Sequence, residues 1–459
     1  MKLQMTNRIA SLLVLFSLAP LFGLAQNPII QTYFTADPAP MVHDGTVYLY
    51  TTHDEDETVD NFFTMYNWRC YSTTDMVNWT DHGAVASLSD FAWSDKTNGA
   101  WAPQCIGRNG KFYLYCPIHG DGIGVLVADS PTGPFRDPLG HRLIVDSENI
   151  WHDIDPTVFI DDGQAYLYWG NPALFYVKLN EDMISYDKSI GNNGIVAAEM
   201  TKEAFGENEG RDGQHISNYT EGPWIYKRNS LYYMVYAAAG IPEYIAYSTA
   251  PSATGPWTYQ GFIMKRADHL AFTNHPGIID YKGNSYFFYH TQELSGGEGF
   301  KRSVSVEQFN YNPDGTIPLI APTKEGVKES VANLNPYKKV EAETIAWSEG
   351  VKTEGNSKTG VYVTQINNGD FIKVKSVDFG AGAKKFEAGV ATSSKGGQIE
   401  VRLNDVNGQL LGNCKVKNTD GWKKTSCKLT KVEGIHDICF VFKGNDGQLF
   451  NFDWWKFKK

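Results

Sequence analysis

Apolar and polar residues alternate in short runs along most of this chain, a pattern that predicts β-strands rather than long helices. Five segments share one arrangement: a proline, a turn seven residues later, and then a strand rich in aromatic residues. The segments begin at Asp37, Ala102, Asp155, Gly222 and His275. Each therefore predicts one tight hairpin.

The spacing of the five hairpins predicts a repeat architecture. The anchoring prolines are Pro38, Pro103, Pro156, Pro223 and Pro276. This spacing leaves room for two more strands per repeat, and candidate outer strands begin at Gly122 and Tyr244. Four strands in each of five repeats, without a convincing long amphipathic helix, predict a five-bladed β-propeller. A large β-sandwich with similar hairpins is the alternative, and five matches in register argue against it.

A change in charge divides the chain into two domains. Residues 26–337 hold 19 basic and 38 acidic residues, whereas residues 338–459 hold 20 and 14. We expect a propeller over residues 26–332, a linker over 333–340, and a second domain over 341–459. The second domain alternates apolar and polar residues in short strands separated by Gly, Asn and Asp, which predicts an all-β sandwich or jelly roll.

Composition excludes several classes of protein. A chain of 459 residues with 14% aromatic and 20% charged residues is not disordered. Its net charge of −11, without a basic block, makes nucleic acid a poor partner. None of the six cysteines forms a CxxC pair, so a zinc site has no support. Cys414 and Cys427 could face each other across a hairpin, but the disulfide pairing stays open, and we expect no catalytic cysteine.

Residues 1–25 have the pattern of a secretory signal peptide. Lys2 and Arg8 precede an apolar stretch, and Gly23-Leu24-Ala25 resembles a cleavage site. A membrane anchor is the alternative, but the stretch is short and Pro20 interrupts it. We therefore expect a secreted or periplasmic protein, cleaved near Ala25, with no membrane span.

The propeller prediction brings distant acids together. Equivalent positions of the repeats converge where the innermost strands line the central channel. Asp37 and Asp155 directly precede anchoring prolines, and Glu221 stands two residues before Pro223. Trp101 and His275 occupy the corresponding places in the second and fifth repeats.

Three carboxyl groups at the mouth of one pocket suit glycoside hydrolysis. One protonated carboxyl protonates the leaving oxygen, and one ionised carboxylate acts from the opposite side. If the second activates water, the two stand ~6.5–9.5 Å apart, a span that different blades can provide. A third carboxylate beside the acid raises its pKa, because like charges resist joint ionisation. Each acid alone also suits an ordinary turn, so the prediction depends on their shared register.

Residues 30–330 resemble glycoside hydrolase family 43 in three motifs. TADPAP carries Asp37, DIDPTVFIDDGQAYLYWG carries Asp155, and YTEGPWIYKRN carries Glu221. The resemblance implies that Asp37 is the general base, that Glu221 is the general acid, and that Asp155 orients the acid and tunes its pKa. It also implies inversion of configuration in a single displacement. Asp153 lies close to Asp155 but lacks the following proline.

Other residues of the propeller are weaker candidates for substrate binding. Trp101 could form an apolar wall against the sugar or be a structural tryptophan. His275, in TNHPGI, matches a position where this family holds a water or calcium ion in the channel, although a lone histidine is more often structural. Arg302, in FKRSV, matches a sugar-contacting arginine, with a surface ion pair as the alternative.

Residues 341–459 resemble carbohydrate-binding module family 6 in the motifs VEAE, NNGDFI, DGWKK and LFNFDWWKF. The resemblance implies a structural calcium bound by Glu341, Glu343 and Asp453, and oxygen ligands suit that ion. It also implies a sugar site with Trp422 and Asn451. Gln365 stands near the usual place of the partner aromatic residue, and Tyr362 is a possible substitute. A module that only packs against the propeller is the alternative.

Together the two resemblances imply a secreted, inverting glycosidase that removes α-L-arabinofuranosyl side chains from arabinoxylan in plant cell walls. Catalysis is expected to need no cofactor. A β-xylosidase acting on xylo-oligosaccharides is the nearer alternative, decided by the loops 54–67 and 203–219. A non-catalytic glycan-binding protein is the more distant one.

Overall fold

The computed structural model describes residues 26–145, 151–208 and 216–459. The predicted signal peptide lies outside the described residues. Within them, regular structure other than strand is limited to a 3₁₀ turn at Leu88–Asp90 and the short helix α1 at Lys202–Phe205. No helix among these residues has the length and hydropathy that a membrane span requires.

The first domain consists of five antiparallel sheets arranged in chain order. Blade one contains β1 Phe34–His43, β2 Thr46–Asp54, β3 Asn67–Thr73 and β4 Trp79–Ser87. Blade two contains β5 Gln104–Arg108, β6 Lys111–Ile118 and β7 Gly122–Ala128. Blade three contains β8 Thr157–Asp161, β9 Gln164–Trp169, β10 Phe175–Leu179 and β11 Val196–Ala197. Blade four contains β12 Tyr219–Arg228, β13 Leu231–Ala238, β14 Tyr244–Ala250 and β15 Thr258–Met264. Blade five contains β16 Gly277–Tyr281, β17 Asn284–Thr291 and β18 Ser303–Phe309.

The predicted five-bladed propeller is confirmed, although blades two and five contain three strands among the described residues instead of the predicted four. The five hairpins have a common turn. In all five hairpins the first turn residue is left-handed, with φ between 45° and 56° at Asp44, Asn109, Asp162, Asn229 and Lys282. Such turns match the twist of the paired strands. The strands predicted from Gly122 and Tyr244 are β7 and β14, the third strands of their blades.

The N-terminal residues close the ring of blades. Ile29 N donates to Val304 O (2.9 Å), and Thr35 N donates to Arg302 O (2.9 Å), so the chain entering blade one runs beside the last strand of blade five. Neighbouring blades pack through several apolar clusters: one contains Tyr50 of blade one and Leu114 of blade two, and another contains Tyr115 of blade two and Leu167 of blade three.

The second domain is a sandwich of two antiparallel sheets, as predicted. One sheet contains β19 Val340–Glu341, β22 Lys352–Asn356, β23 Gly360–Thr364, β25 Ala383–Ala391, β28 Lys423–Val432 and β30 Asn451–Lys458. The other contains β21 Trp347–Glu349, β24 Phe371–Asp378, β26 Gly397–Leu403, β27 Leu410–Val416 and β29 Ile435–Lys443. Their facing sides bury a separate core around Phe386, Phe440 and Trp455.

The two domains are joined by sheet pairing as well as by the chain. Strand β20 Thr344–Ile345 belongs to the second domain but pairs with β4 at the edge of blade one. Within the predicted linker, Leu334 N donates to Ser376 O (2.9 Å), and Pro336 O accepts from Phe457 N (2.8 Å). Residues 333–340 therefore lie against the sandwich.

Candidate active site

The backbone before three anchoring prolines has one unusual conformation. Asp37, Asp155 and Gly222, each directly before its proline, have φ of 53°, 58° and 60°. Glycine adopts this left-handed conformation most easily, so in blade four it occupies the strained position and the acid moves back to Glu221. The one-residue offset of Glu221 in the sequence thus has a structural reason.

Asp37 is buried and paired with a cation. Arg302 Nη1 donates to Asp37 Oδ1 (3.0 Å), and Thr52 Oγ1 donates to Asp37 Oδ2 (3.0 Å). Burial is the largest single influence and favours the protonated form, but the Arg302 guanidinium, together with the two neighbouring histidines and the Thr52 hydrogen bond, holds the pKa of Asp37 below its ordinary value. His290 Nδ1 accepts from Asp37 N (3.2 Å), and burial lowers the pKa of His290 to about 3. Asp37 is therefore ionised and His290 neutral at neutral pH.

Asp155 contacts the backbone that carries Glu221. Asp155 Oδ2 accepts a hydrogen bond from Gly222 N (2.9 Å), which fixes the peptide next to the acid. Burial, together with the charges of Glu221 and Asp37, raises the pKa of Asp155 well above its ordinary value. Asp155 is therefore placed to orient the Glu221 backbone, while its role in tuning the pKa of the acid stays a prediction.

Glu221 has the properties of a general acid. Its Oε2 accepts from Asn171 Nδ2 (2.5 Å), a contact that the sequence did not suggest. Burial, with a further contribution from the charge of Asp37, raises the pKa of Glu221 to about 7. One ionised and one protonated carboxyl therefore face the same cavity, the condition for acid–base catalysis near neutral pH.

The three acids line a cavity of about 590 Å³ at the centre of the propeller. Six aromatic residues are part of its walls: Phe62, Phe63, Trp101, Trp151, Phe272 and Phe300. Trp101 stacks on His119 with 3.9 Å between ring centroids, so its orientation is fixed. The loop 54–67 supplies Phe62 and Phe63, whereas part of the loop 203–219 lies outside the described residues.

Arg302 is not in a surface ion pair, and its guanidinium is already occupied. The side chain is 3% exposed, and besides Asp37 it binds Asp54 through Nε (2.9 Å) and Nη2 (2.9 Å). A planar guanidinium satisfied by two carboxylates has little left to offer a sugar. The structure favours Arg302 as the partner that keeps Asp37 ionised, and direct sugar contact stays a prediction.

His275 lies in the channel beside Asp155. Its Nδ1 stands 4.0 Å from Asp155 Oδ2, and burial lowers the pKa of His275 to about 4. A neutral imidazole can hold a water, a sugar hydroxyl or a cation. Its role as a substrate or calcium residue stays a prediction.

A fourth acid, Glu243, lines this cavity, and no motif in the sequence predicts it. It directly precedes β14 and stands outside the repeated proline-to-turn pattern. Asp54, which binds Arg302, was also missed, because it ends a strand without a motif of its own.

In the sandwich, the candidate sugar residues occupy a loop end. Trp422 is 36% exposed and contacts the edge of Tyr362 at 5.3 Å between ring centroids. Asn451 Oδ1 accepts from Thr364 Oγ1 (2.9 Å) and Gln448 Nε2 (3.0 Å). The amide nitrogen of Asn451 takes part in neither hydrogen bond. The structure thus places Tyr362, rather than Gln365, beside Trp422. Sugar binding by Trp422 and Asn451 stays a prediction.

The three carboxylates predicted to bind calcium are not equivalent. Glu343 Oε2 and Asp453 Oδ1 are buried without a hydrogen-bond donor, whereas Glu341 is partly exposed and pairs with Lys339 (2.9 Å). Burial raises the pKa of Glu343 to about 9. Two orphaned oxygens fit a cation. The described residues do not, however, gather three His, Cys, Asp or Glu side chains around one point.

The cysteines within the described residues are free thiols. Cys414 and Cys427 lie on neighbouring strands in hydrogen-bonding contact, so the structure does bring this pair together.

Comparison with known proteins agrees with this geometry. A protein-family model of glycosyl hydrolases family 43 matches residues 25–317, and a model of carbohydrate binding module family 6 matches residues 341–459. The chain belongs to glycosyl hydrolases family 43. As a member of that family it is a glycosidase, an enzyme that hydrolyses glycosyl bonds.

Individual relatives extend the family 43 match over both domains. An arabinoxylan arabinofuranohydrolase of Bacillus subtilis (strain 168) is 36% identical over 94% of this chain and 92% of its own length. A crystal structure of a family 43 arabinoxylan arabinofuranohydrolase from Bacillus subtilis, in complex with cellotetraose, superposes with a TM-score of 0.81 and 32% identity over 95% of this chain and 98% of its own. A xylosidase/arabinosidase of Bacteroides ovatus is 30% identical over 62% of this chain and 95% of its own length.

Proposed function

We propose that this glycosidase removes α-L-arabinofuranosyl side chains from arabinoxylan with inversion of configuration. The observation that carries the chemistry is the pair of carboxyls with opposite protonation states, Asp37 ionised beside Arg302 and Glu221 protonated by burial. The substrate is supported by relatives that match both domains and bear the name arabinoxylan arabinofuranohydrolase.

In this mechanism Glu221 donates its proton to the leaving xylosyl oxygen as the glycosidic bond breaks. Asp37 takes a proton from the attacking water on the opposite face of the sugar. Asp155 holds the Glu221 backbone through Gly222 N, which orients the acid, and its influence on the pKa of Glu221 stays a prediction. The aromatic walls at Trp101 and Phe62 present flat faces to sugar C–H groups.

A β-xylosidase is the second candidate, supported by relatives with xylosidase names that match 62%, 63% and 91% of this chain. The two candidate functions depend on the same three carboxyls and differ in which pentose fits the cavity.

A proton NMR time course on wheat arabinoxylan and on xylo-oligosaccharides separates them. Release of arabinose, first as the β-anomer, is the expected result. First release of α-xylose from xylo-oligosaccharides, with arabinose left in place, would move the assignment to β-xylosidase. First release of the α-anomer of arabinose would contradict the inverting mechanism, and no release from either substrate would favour a glycan-binding protein.

The compartment and the calcium site belong to the same proposal. The pattern of residues 1–25 supports export, which would bring the enzyme to a polysaccharide outside the cytoplasm. The orphaned oxygens of Glu343 and Asp453 support a structural cation in the sandwich. Catalysis is assigned to the carboxyls alone.

A further inference from the structure

Glu243 is an acid that the three-carboxyl mechanism does not use. It lines the same cavity as Glu221 and is only 1% exposed. A buried carboxyl is costly unless it is hydrogen-bonded or serves a purpose, so its contacts require an explanation.

The segment that carries Glu243 is fastened to the strand that carries Glu221. Ala239 N donates to Asn218 O (2.8 Å), and Gly240 N donates to Thr220 Oγ1 (2.8 Å), one residue before Glu221. On its other side, Glu243 N donates to Phe272 O (2.9 Å). The carboxyl of Glu243 is thus held by fixed backbone on both sides.

The two oxygens of Glu243 have different partners. Oε2 accepts from Asn274 N (2.5 Å), whereas no N–H or hydroxyl of the described residues donates to Oε1. The Glu243 carboxyl instead meets that of Glu221 in hydrogen-bonding contact. Two carboxyls can form a hydrogen bond only if one of them is protonated.

The surrounding charges indicate which carboxyl keeps the proton. Glu221 faces the charges of Asp37 and Arg302, while Glu243 faces those of Glu221 and Asp155 without a cation among its principal neighbours. Burial and the charge of Glu221 raise the pKa of Glu243 well above its ordinary value, whereas that of Glu221 is about 7. Glu243 is therefore the donor.

We infer that Glu243 is a positioning residue for the general acid, and that its protonated carboxyl donates a hydrogen bond to Glu221 and stabilises the Glu221 carboxylate formed during the reaction. This inference rests on the proposed role of Glu221. As the C–O bond breaks, its electron pair stays on the leaving oxygen, which takes the proton of Glu221. Water forms the new bond to the sugar and gives a proton to Asp37, while Glu243 keeps its own proton throughout.

Two substitutions test this donor role. Glu243→Gln keeps the shape of a protonated carboxyl, since its amide oxygen can accept from Asn274 N and its amide nitrogen can donate to Glu221. Glu243→Leu removes the donor. The measurement is the pH profile of kcat/KM on an aryl arabinofuranoside and on an arabinoxylo-oligosaccharide, with circular dichroism and Tm as checks of folding.

We expect Glu243→Gln to keep most activity. The basic limb of its pH profile, the fall of kcat/KM at high pH, should stay where it is in the wild type. Glu243→Leu should lower kcat/KM on the oligosaccharide about 10- to 100-fold, the range of one hydrogen bond to a charged group. Its basic limb should move to higher pH, because the Glu221 carboxylate is less stable without its donor. The loss should be smaller on the aryl substrate, whose leaving group needs less help from the acid.

Three results would overturn the inference: a Glu243→Gln variant as impaired as Glu243→Leu, a basic limb that stays in place in Glu243→Leu, or a basic limb that moves to lower pH in Glu243→Gln. If Glu243→Leu does not fold, the pH profile of Glu243→Gln decides alone. An ionised Glu243 in the wild type would raise the pKa of Glu221, so its replacement by the neutral Gln would move the basic limb to lower pH.

Controls separate this inference from the proposed function. Glu307 is another buried acid (6% exposed), in blade five, bonded to Tyr289 and Thr323 outside the cavity, and Glu307→Gln should leave the pH profile unchanged. Glu221→Gln is measured alongside. If it stays active, the proposed function fails; if it is inactive and the Glu243 profiles do not move, only the role of Glu243 fails.

Discussion

The propeller channel and the sandwich both bury carboxyl groups, but they surround them differently. In the channel, Asp37 faces Arg302 and Thr52, and Glu221 faces the Asn171 amide. In the sandwich, Glu343 and Asp453 each bury an oxygen that no donor of the described residues reaches. The channel thus holds, in one cavity, an ionised carboxyl and a carboxyl with a pKa of about 7, whereas burial raises the pKa of both sandwich carboxyls.

This difference shows what separates a reactive site from a merely buried one. Burial alone drives every carboxyl toward its neutral form. Only an opposing cation such as Arg302 keeps one of them ionised, and the contrast between neighbours is what acid–base catalysis requires. The following experiments test that contrast, from the largest expected effect to the smallest.

Removal of either member of the channel pair should have the largest effect. Asp37→Asn and Glu221→Gln should each lower kcat about 10²- to 10⁴-fold, the usual contribution of a general acid or base. Turnover of an arabinoxylo-oligosaccharide, whose leaving group needs the acid, measures the loss, and circular dichroism checks the fold. Asp153→Asn is the matched control, because Asp153 is buried nearby but accepts from Trp169 Nε1 (3.0 Å), and it should keep most activity. More than about a tenth of wild-type kcat in Glu221→Gln would contradict its role.

Removal of the Arg302 cation should raise the pKa of Asp37, as burial raises the pKa of the sandwich carboxyls. Arg302→Met leaves Asp37 and Asp54 buried and unpaired, so we expect a loss of about 3–5 kcal/mol in the free energy of unfolding. Because Arg302 holds the pKa of Asp37 low, the acid limb of kcat/KM should move to higher pH. Urea unfolding and a pH profile measure the two effects.

Arg69→Met gives the comparison for Arg302→Met. Arg69 binds Asp81 (2.8 Å) in a buried pair outside the cavity, so this variant should lose stability without a shift of the acid limb. An equal shift in both variants would mean that Arg302 acts only through folding.

Glu343 in the sandwich should make stability fall as the pH rises, whereas the lowered pKa of Asp37 makes stability fall as the pH is lowered. The folded-state pKa of Glu343, about 9, lies above its unfolded value. Its contribution to stability is therefore complete below about pH 4.3 and is lost as the pH rises toward 9. In EDTA, Tm should fall between pH 5 and pH 8.5, and Glu343→Gln should remove most of that slope.

Calcium sharpens this test, since a cation at Glu343 and Asp453 would favour the ionised carboxyls. Added calcium should then raise the Tm of the wild type most at the alkaline end and that of Glu343→Gln little. An equal effect of calcium on both proteins would contradict a site at Glu343.

Substitution of two exposed tryptophans should change polymer binding and hydrolysis separately, with little change in stability. Trp422→Ala in the sandwich should weaken adsorption to insoluble arabinoxylan and leave the hydrolysis of an aryl substrate unchanged. Trp151→Ala at the channel mouth should do the reverse, because Trp151 lines the cavity and is 41% exposed. A pull-down on insoluble polysaccharide and initial rates measure the two effects. Unchanged adsorption of Trp422→Ala would favour a module that only packs against the propeller.

Much of the site could be predicted because the hairpin repeat is local. The turn and the proline recur at a fixed offset, so the sequence alone aligns Asp37, Asp155 and Glu221 on one ring. Asn171, Glu243 and Asp54 could not be found in this way. They reach the cavity from loops and strand ends outside the repeated pattern, and their contacts with Glu221 and Arg302 cross between elements distant in the chain.

The sequence by itself determined the architecture and the identity of the three acids, because periodicity, turn residues and repeat spacing are written along the chain. The tertiary structure decided their charge states. Whether a carboxyl is ionised depends on how deeply it is buried and which cation or donor faces it, and Arg302 reaches Asp37 only when blade five closes against blade one.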